Sequence, residues 1–202
     1  MKSLAALVFP GFETLDYFGP IEMLGGYGTE TDIITVAKTS DPVPSCHGQR
    51  IIPDTSISER TDYDLLFIPG GDAAIEVGRD TDMVEWIKEV STKAELVMTV
   101  CTGSILLGMT GVLDRHKATT NKMDFTKTVP LAPNVLWVKE ARWVEDGKFF
   151  TSSGVSAGID MALAAMAHLF GMELADRLAL GSEYEWRKDA TRDPFAKLAG
   201  LV

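Results

Sequence analysis

Cys101 stands between an apolar run, Leu96 to Val100, and three small residues, Thr102, Gly103 and Ser104. The run reads as a buried strand, and Gly103 to Met109 as a helix with a small first turn, so Cys101 falls at a strand-to-helix corner. A tight turn there lifts a side chain over the end of a sheet, the geometry of a nucleophile elbow. The positive end of the helix also faces the thiol and favours the thiolate, the reactive form. Many buried cysteines act only as small hydrophobes. A packing cysteine has no need of a small turn behind it, whereas a nucleophile approached closely by a substrate does. On these residues alone both roles stay open.

Two further stretches carry polar groups to comparable corners. Leu4 to Phe9 reads as a buried strand stopped by Pro10-Gly11, with Asp16 and Glu22 on the helix that follows, Glu13 to Leu24. Asp64 to Ile68 is a third buried strand, ended by Pro69-Gly70-Gly71-Asp72. An amide of Gly71 or Asp72, with that of Thr102, would make an anion-stabilising pair; a simple strand-ending turn reads the same way. Asp16 suits a first helical turn on electrostatic grounds alone, and Glu22 an ordinary solvated position.

The elements that must hold these corners alternate. Strands are read at Asp32 to Ala37, Gln49 to Ile52, Lys117 to Thr120 and Val135 to Val138, and a hairpin over Arg142 to Thr151 turning at Asp146-Gly147. Helices are read at Asp82 to Thr92, Asp124 to Thr128, from Ser156 or Gly158 to Phe170, and from Glu173 to Glu185. Gly19-Pro20 predicts a break or kink in the first helix. The pattern predicts an α/β sandwich of one domain over 1–202, with a mostly parallel sheet and helices on both faces. Ligands bind such sheets at the carboxyl ends of the strands, near a switch point, where Asp16, Gly70-Gly71 and Cys101 gather.

Composition narrows the partners. The chain has 202 residues and a formal net charge of −10. That balance argues against nucleic acid and anionic membrane surfaces, which are bound through Lys and Arg. Two cysteines, Cys46 and Cys101, do not form a disulfide framework and fit a reducing compartment. The N-terminal apolar run is shorter than a signal-peptide core, and Met161 to Phe170 is too short to span a bilayer; a cytoplasmic protein is expected. No His/Cys group shows metal-ligand spacing, so neither metal nor organic cofactor is expected. Of the histidines, His168 is expected in the core of its apolar helix and His116 in a solvated turn.

Phe9 to Phe12, Leu15-Asp16-Tyr17-Phe18-Gly19-Pro20, Phe67 to Gly71, Val100 to Ser104, Gly111 to Asp114, Ala118-Thr119-Thr120 and Ser153 to Asp160 together resemble the ThiJ/PfpI superfamily. That is a branch of the class I glutamine-amidotransferase-like, flavodoxin-like folds. Within it the set is most similar to the isocyanide hydratases, and also resembles ligand-sensing domains fused to AraC-type regulators. The chain itself shows no basic helix-turn-helix segment. Many relatives place a histidine after the cysteine, where this chain has Thr102, or after Ala-Thr-Thr, where it has Asn121. A Cys-His dyad is therefore not readable, which counts against a protease.

The resemblance implies Cys101 as nucleophile, Asp16 as acid/base with Glu22 as runner-up, and Thr102 beside them. Gly70, Gly71, Asp72, Gly154 and Ile159 would line the substrate and oxyanion site, with the loop from Ser153 to Ile159 closing the pocket. Asp160 is read as a pairing residue, not a catalytic one. The activity implied is hydration of a small-molecule isocyanide; the alternatives are a redox or ligand sensor and another small-electrophile hydrolase or glyoxalase-like enzyme. A homodimer is expected, with Trp137, Trp143, Phe149 and Phe150 as an exposed interface set unless they pack under the hairpin. The stretch from Glu183 to Phe195 folds over either a pocket or a partner.

Overall fold

The computed structural model describes residues 1–26 and 31–202. Leu4, Ala5, Ala6 and Leu7 are wholly buried in β1 (Lys2–Leu7), as are all four residues of β6 (Leu65–Ile68). Strands covered on both faces read as unbroken apolar runs, which is why these two and β7 (Leu96–Thr99) stand out in the sequence.

Around them lie β2 (Thr31–Ala37), β5 (Thr55–Ser56), β10 (Trp143–Asp146) and β11 (Phe149–Ser152). Among the described residues these seven strands form one sheet in the order β10-β11-β7-β6-β1-β2-β5. Every neighbouring pair is parallel except β10 and β11, which form the hairpin. The chain leaves β1 toward β2 and returns on the other side at β6, so the switch point lies between β1 and β6. Two short ladders lie outside the sheet: β3 (Val43–Pro44) with β4 (Arg50–Ile51), and β8 (Lys117–Ala118) with β9 (Leu136–Trp137).

Helix α1 (Thr14–Leu24) packs with α6 (Ala157–Phe170) and α7 (Met172–Gly181); α2 (Ala74–Val77) and α3 (Thr81–Lys93) gather around α4 (Gly103–Met109). These groups make the two helical layers of the expected flavodoxin-like sandwich. Short α5 (Phe125–Thr128) and α8 (Pro194–Leu198) complete the chain.

Three expectations are corrected. Gly19-Pro20 does not break α1, which runs through it. A Cβ on Gly19 would lie 2.8 Å from Ile159 Cγ1, and one on Gly158 would lie 3.1 Å from Pro20 Cγ. The pair is thus the point of closest approach to α6, and that packing offsets the backbone hydrogen bond proline cannot make. His168 is exposed, not core; its Nδ1 lies 3.1 Å from Glu145 Oε1 and its ring meets Phe150 edge-on. Trp143, Phe149 and Phe150 are buried and Trp137 is half-buried, so three of the four pack within the fold and the set is not an exposed patch.

Candidate active site

Cys101 follows β7 with φ of 55°, a left-handed conformation costing a non-glycine residue of order 1–3 kcal/mol. Its backbone is pinned on all sides. The N–H donates to Ser153 O at 3.1 Å, while the carbonyl accepts from Ser104 Oγ at 2.8 Å and Thr120 Oγ1 at 2.9 Å. The elbow expected from the small-residue run is therefore present and over-determined. Only 6% of Cys101 is exposed.

Asp16, on the first turns of α1, is fully buried. Its Oδ2 accepts the Gly70 N–H at 2.9 Å, and its Oδ1 has no hydrogen-bond partner. Burial raises its carboxyl to about 7; the Glu13 charge adds to the rise, and hydrogen bonds from Gly70 and from the Cys101 thiol oppose it. Glu22 is exposed and lines a separate surface hollow with Phe18, Ile21 and Ile33. Asp16, and not Glu22, is the carboxyl placed at the sulfur.

The thiolate expected from the helix end is corrected. Burial, with the Asp16 charge second, pushes the Cys101 thiol up to about 12. A helix of seven residues does not outweigh the loss of solvent around a sulfur anion. Three donors work against that rise, Asn121 Nδ2 at 3.1 Å from Sγ and the backbone amides of Thr102 and Val155. The resting pair is a protonated thiol beside a carboxyl that titrates near neutrality.

The remaining expected residues divide. Thr102 Oγ1 accepts the Gly71 N–H at 2.9 Å and donates to the Gly71 carbonyl at 2.9 Å. This reciprocal latch ties the loop after β6 to the elbow. It also commits the amide of Gly71, as Asp16 commits that of Gly70, so neither donor is aimed at a substrate. Asp72 is exposed. The amides at the sulfur are those of Thr102 and Val155, the latter held at φ of 42°. Gly70 is required by space: a Cβ there would lie 2.7 Å from Thr102 N and 2.8 Å from Asp16 Oδ2. Gly154 sits against Asn121, where a Cβ would come 2.9 Å from Nδ2. Ile159 turns toward Gly19 on α1 and serves the helix contact.

A cavity of about 200 Å³ opens beside these groups, lined by Asn121, Lys122, Gly154, Val155, Ser156 and Phe195 among others. Of the last segment, Phe195 lines this pocket, while Tyr184, Trp186 and Arg187 bond to Asp160. Lys122 is 2% exposed, donates to Thr119 Oγ1 at 2.5 Å, and is lowered to about 8 by burial. A larger hollow of about 430 Å³ lies between the ends of β1 and β2 and α3, lined by Val8, Lys38, Val43, Asp80 and Met83, away from Cys101.

Residues 2–168 match the DJ-1/PfpI family. The chain belongs to the DJ-1/PfpI family. It is 33% identical over 180 residues to an isonitrile hydratase of Pseudomonas putida, covering 88% of this chain and 76% of that protein. It is 29% identical over 182 residues to Protein DJ-1 homolog A of Arabidopsis thaliana, of which it spans 45%. It is 25% identical over 173 residues to the HTH-type transcriptional regulator CdhR of Pseudomonas aeruginosa, of which it spans 51%. A ThiJ/PfpI family protein from Pseudomonas syringae superposes with a TM-score of 0.84 at 30% identity, over 99% of this chain and 86% of that one.

In this DJ-1/PfpI chain the two positions that depart from the resemblance, Thr102 and Asn121, both meet the sulfur or its loop. Asn121 brings a neutral amide donor to Sγ and no titrating imidazole. Val155 and Lys122 went unnoticed in the sequence; an aliphatic residue whose backbone does the work carries no side-chain signal. Among the described residues, no helix is long and apolar enough to cross a membrane.

Proposed function

We propose that this chain hydrates small isonitriles to N-formamides, with Cys101 as nucleophile and Asp16 as the proton carrier. The observation that carries the reading is a buried thiol facing a carboxyl raised to about 7, with an amide donor where a histidine would bring a third titrating group. The 33% identity to an isonitrile hydratase supports the same chemistry.

The charged carboxylate of Asp16 takes the thiol proton as sulfur bonds to the terminal carbon of R–N≡C. Transfer removes the carboxylate charge, and with it the repulsion that held the thiol up; the donors from Asn121, Thr102 and Val155 stabilise the sulfur. Asp16 then delivers the proton to carbon, giving a neutral thioimidate, R–N=CH–S. Water adds to that carbon as Asp16 accepts one of its protons. The proton passes to nitrogen, giving R–NH–CH(OH)–S. The C–S bond then breaks as the hydroxyl oxygen forms the carbonyl, and its proton goes by way of Asp16 to the sulfur, restoring the thiol and releasing R–NH–CHO. One general acid/base and one nucleophile suffice.

Intact-protein mass spectrometry tests the covalent step. The Asp16→Asn variant, incubated with a small alkyl isonitrile and quenched in acid, is set beside wild type and Cys101→Ala. An adduct of the isonitrile mass on Cys101, in wild type during turnover and absent from Cys101→Ala, is the expected result. Turnover by Cys101→Ala at the wild-type rate would sink the assignment. A redox-sensing role has less support, because oxidation follows thiolate character and exposure and Cys101 has neither at rest.

A further inference from the structure

The turn between β3 and β4 lies against the corner between β1 and α1, and a second group of reactive side chains meets there. The Gly11 N–H donates to Pro44 O at 2.9 Å and the Cys46 N–H to Phe12 O at 2.8 Å. Within the turn, the Ser45 N–H donates to Gln49 O at 2.7 Å. These bonds fix the backbone of Cys46 and His47 beside Glu13, which is 33 residues away from Cys46 in sequence. Glu13 occupies the N-cap of α1 yet makes no side-chain capping bond; its carboxylate turns to the cysteine instead.

Cys46 Sγ lies 3.2 Å from Glu13 Oε2 and 3.2 Å from His47 Nδ1, and Nδ1 lies 3.8 Å from Glu13 Oε1. Zinc binds thiolate at about 2.3 Å and imidazole or carboxylate at about 2.0–2.2 Å, so the edges of a tetrahedral site are roughly 3.4–3.6 Å. The two sulfur separations are somewhat shorter than those edges and the nitrogen–oxygen separation somewhat longer, differences that small side-chain rotations on a pinned backbone can close. Thr14 Oγ1 lies 2.9 Å from Nδ1, so metal binding exchanges that hydrogen bond for the metal–nitrogen bond. Cys46 and His47 are exposed, leaving a fourth direction to solvent.

We propose that Glu13, Cys46 and His47 form a binding site for a divalent zinc-class cation, completed by water. It meets the Cys101 site only through the Glu13 charge felt by Asp16 and does not rest on the hydratase reading. One thiolate, one imidazole and one carboxylate are the ligand types zinc takes. On binding, the Cys46 S–H bond breaks, its proton leaves to solvent, and sulfur donates its pair to the metal. With the two negative ligand charges, the loaded site is neutral.

Titration of the metal-free protein with cobalt(II), followed by zinc competition and by zinc calorimetry, tests the site. One equivalent is expected, with a thiolate-to-cobalt charge-transfer band that zinc abolishes. The band should persist in Cys101→Ala, vanish in Cys46→Ser, and require at least tenfold more metal in His47→Ala and Glu13→Gln, with each variant's fold checked by circular dichroism. Absence of stoichiometric binding of either ion to folded wild type would overturn the proposal. So would a band that survives Cys46→Ser or disappears in Cys101→Ala.

Discussion

Each polar group at the sulfur has a separable consequence. The Asp16 carboxyl is raised to about 7 by burial and must be charged to accept the thiol proton. The rate should therefore rise with pH, and the kcat/KM profile for a small isonitrile is expected to show an ascending limb centred near 7. A limb near the ordinary carboxylate range, or one that falls with pH, would remove Asp16 as the base. Asn121 donates to Sγ at 3.1 Å. A hydrogen bond to a charged group contributes about 1.5–3 kcal/mol, so Asn121→Ala should lower kcat roughly 10- to 100-fold, beyond the modest fall in melting temperature expected from losing the bonds its Oδ1 accepts from the Met123 and Asp124 N–H groups. Cys101 was legible in the sequence because an elbow leaves a local signal; Asp16 stood out only through the family resemblance, since a first helical turn accounts for an acidic residue by itself. Asn121 was visible only as a departure from a resemblance, and Val155 not at all, since its contribution is an amide. Glu13, Cys46 and His47 were hidden for another reason: only tertiary folding closes the 33-residue gap.

The loops after the central strands work as a set. Gly70 lies where any side chain would strike both Thr102 and Asp16. Gly70→Ala is expected to displace the elbow latch and lower kcat at least tenfold, with destabilisation of about 1–3 kcal/mol typical of overpacking. Gly181→Ala, where nothing lies within 4 Å, serves as the control and should change neither; steady-state kinetics and thermal melts read both. The strands carrying these loops were legible because burial on both faces makes them continuous apolar runs. Pro20 was misread because a local rule for proline ignores what α6 offers in return. His168 was misread because an apolar helix still has one face at the surface.

Across the whole molecule, one buried ion pair joins the hairpin, α6 and the last segment. Arg142 Nε and Nη2 each lie 2.6 Å from Asp160 Oδ2. Asp160 Oδ1 accepts from Tyr184 Oη at 3.1 Å and from the Arg187 N–H at 2.9 Å, and its carbonyl accepts from Trp186 Nε1 at 3.1 Å. Removing one partner of a buried pair typically costs about 3–5 kcal/mol. For a chain of this size Asp160→Asn should lower the melting temperature by roughly 10 °C. It should also loosen the segment that brings Phe195 over the pocket, read as faster amide exchange after Glu183. The sequence named Asp160 as a pairing residue, but its partners come from two separate segments, the start of the hairpin and the stretch after α7, and only the fold assembles them.

The measurement that bears most directly on the proposed chemistry is infrared loss of the N≡C stretch of a small isonitrile with wild type, Cys101→Ala and Asp16→Asn. Loss with wild type, accompanied by N-formamide, and none above background with either variant is the expected result. A folded wild type that leaves the band unchanged, or a Cys101→Ala variant that consumes isonitrile as wild type does, would contradict it.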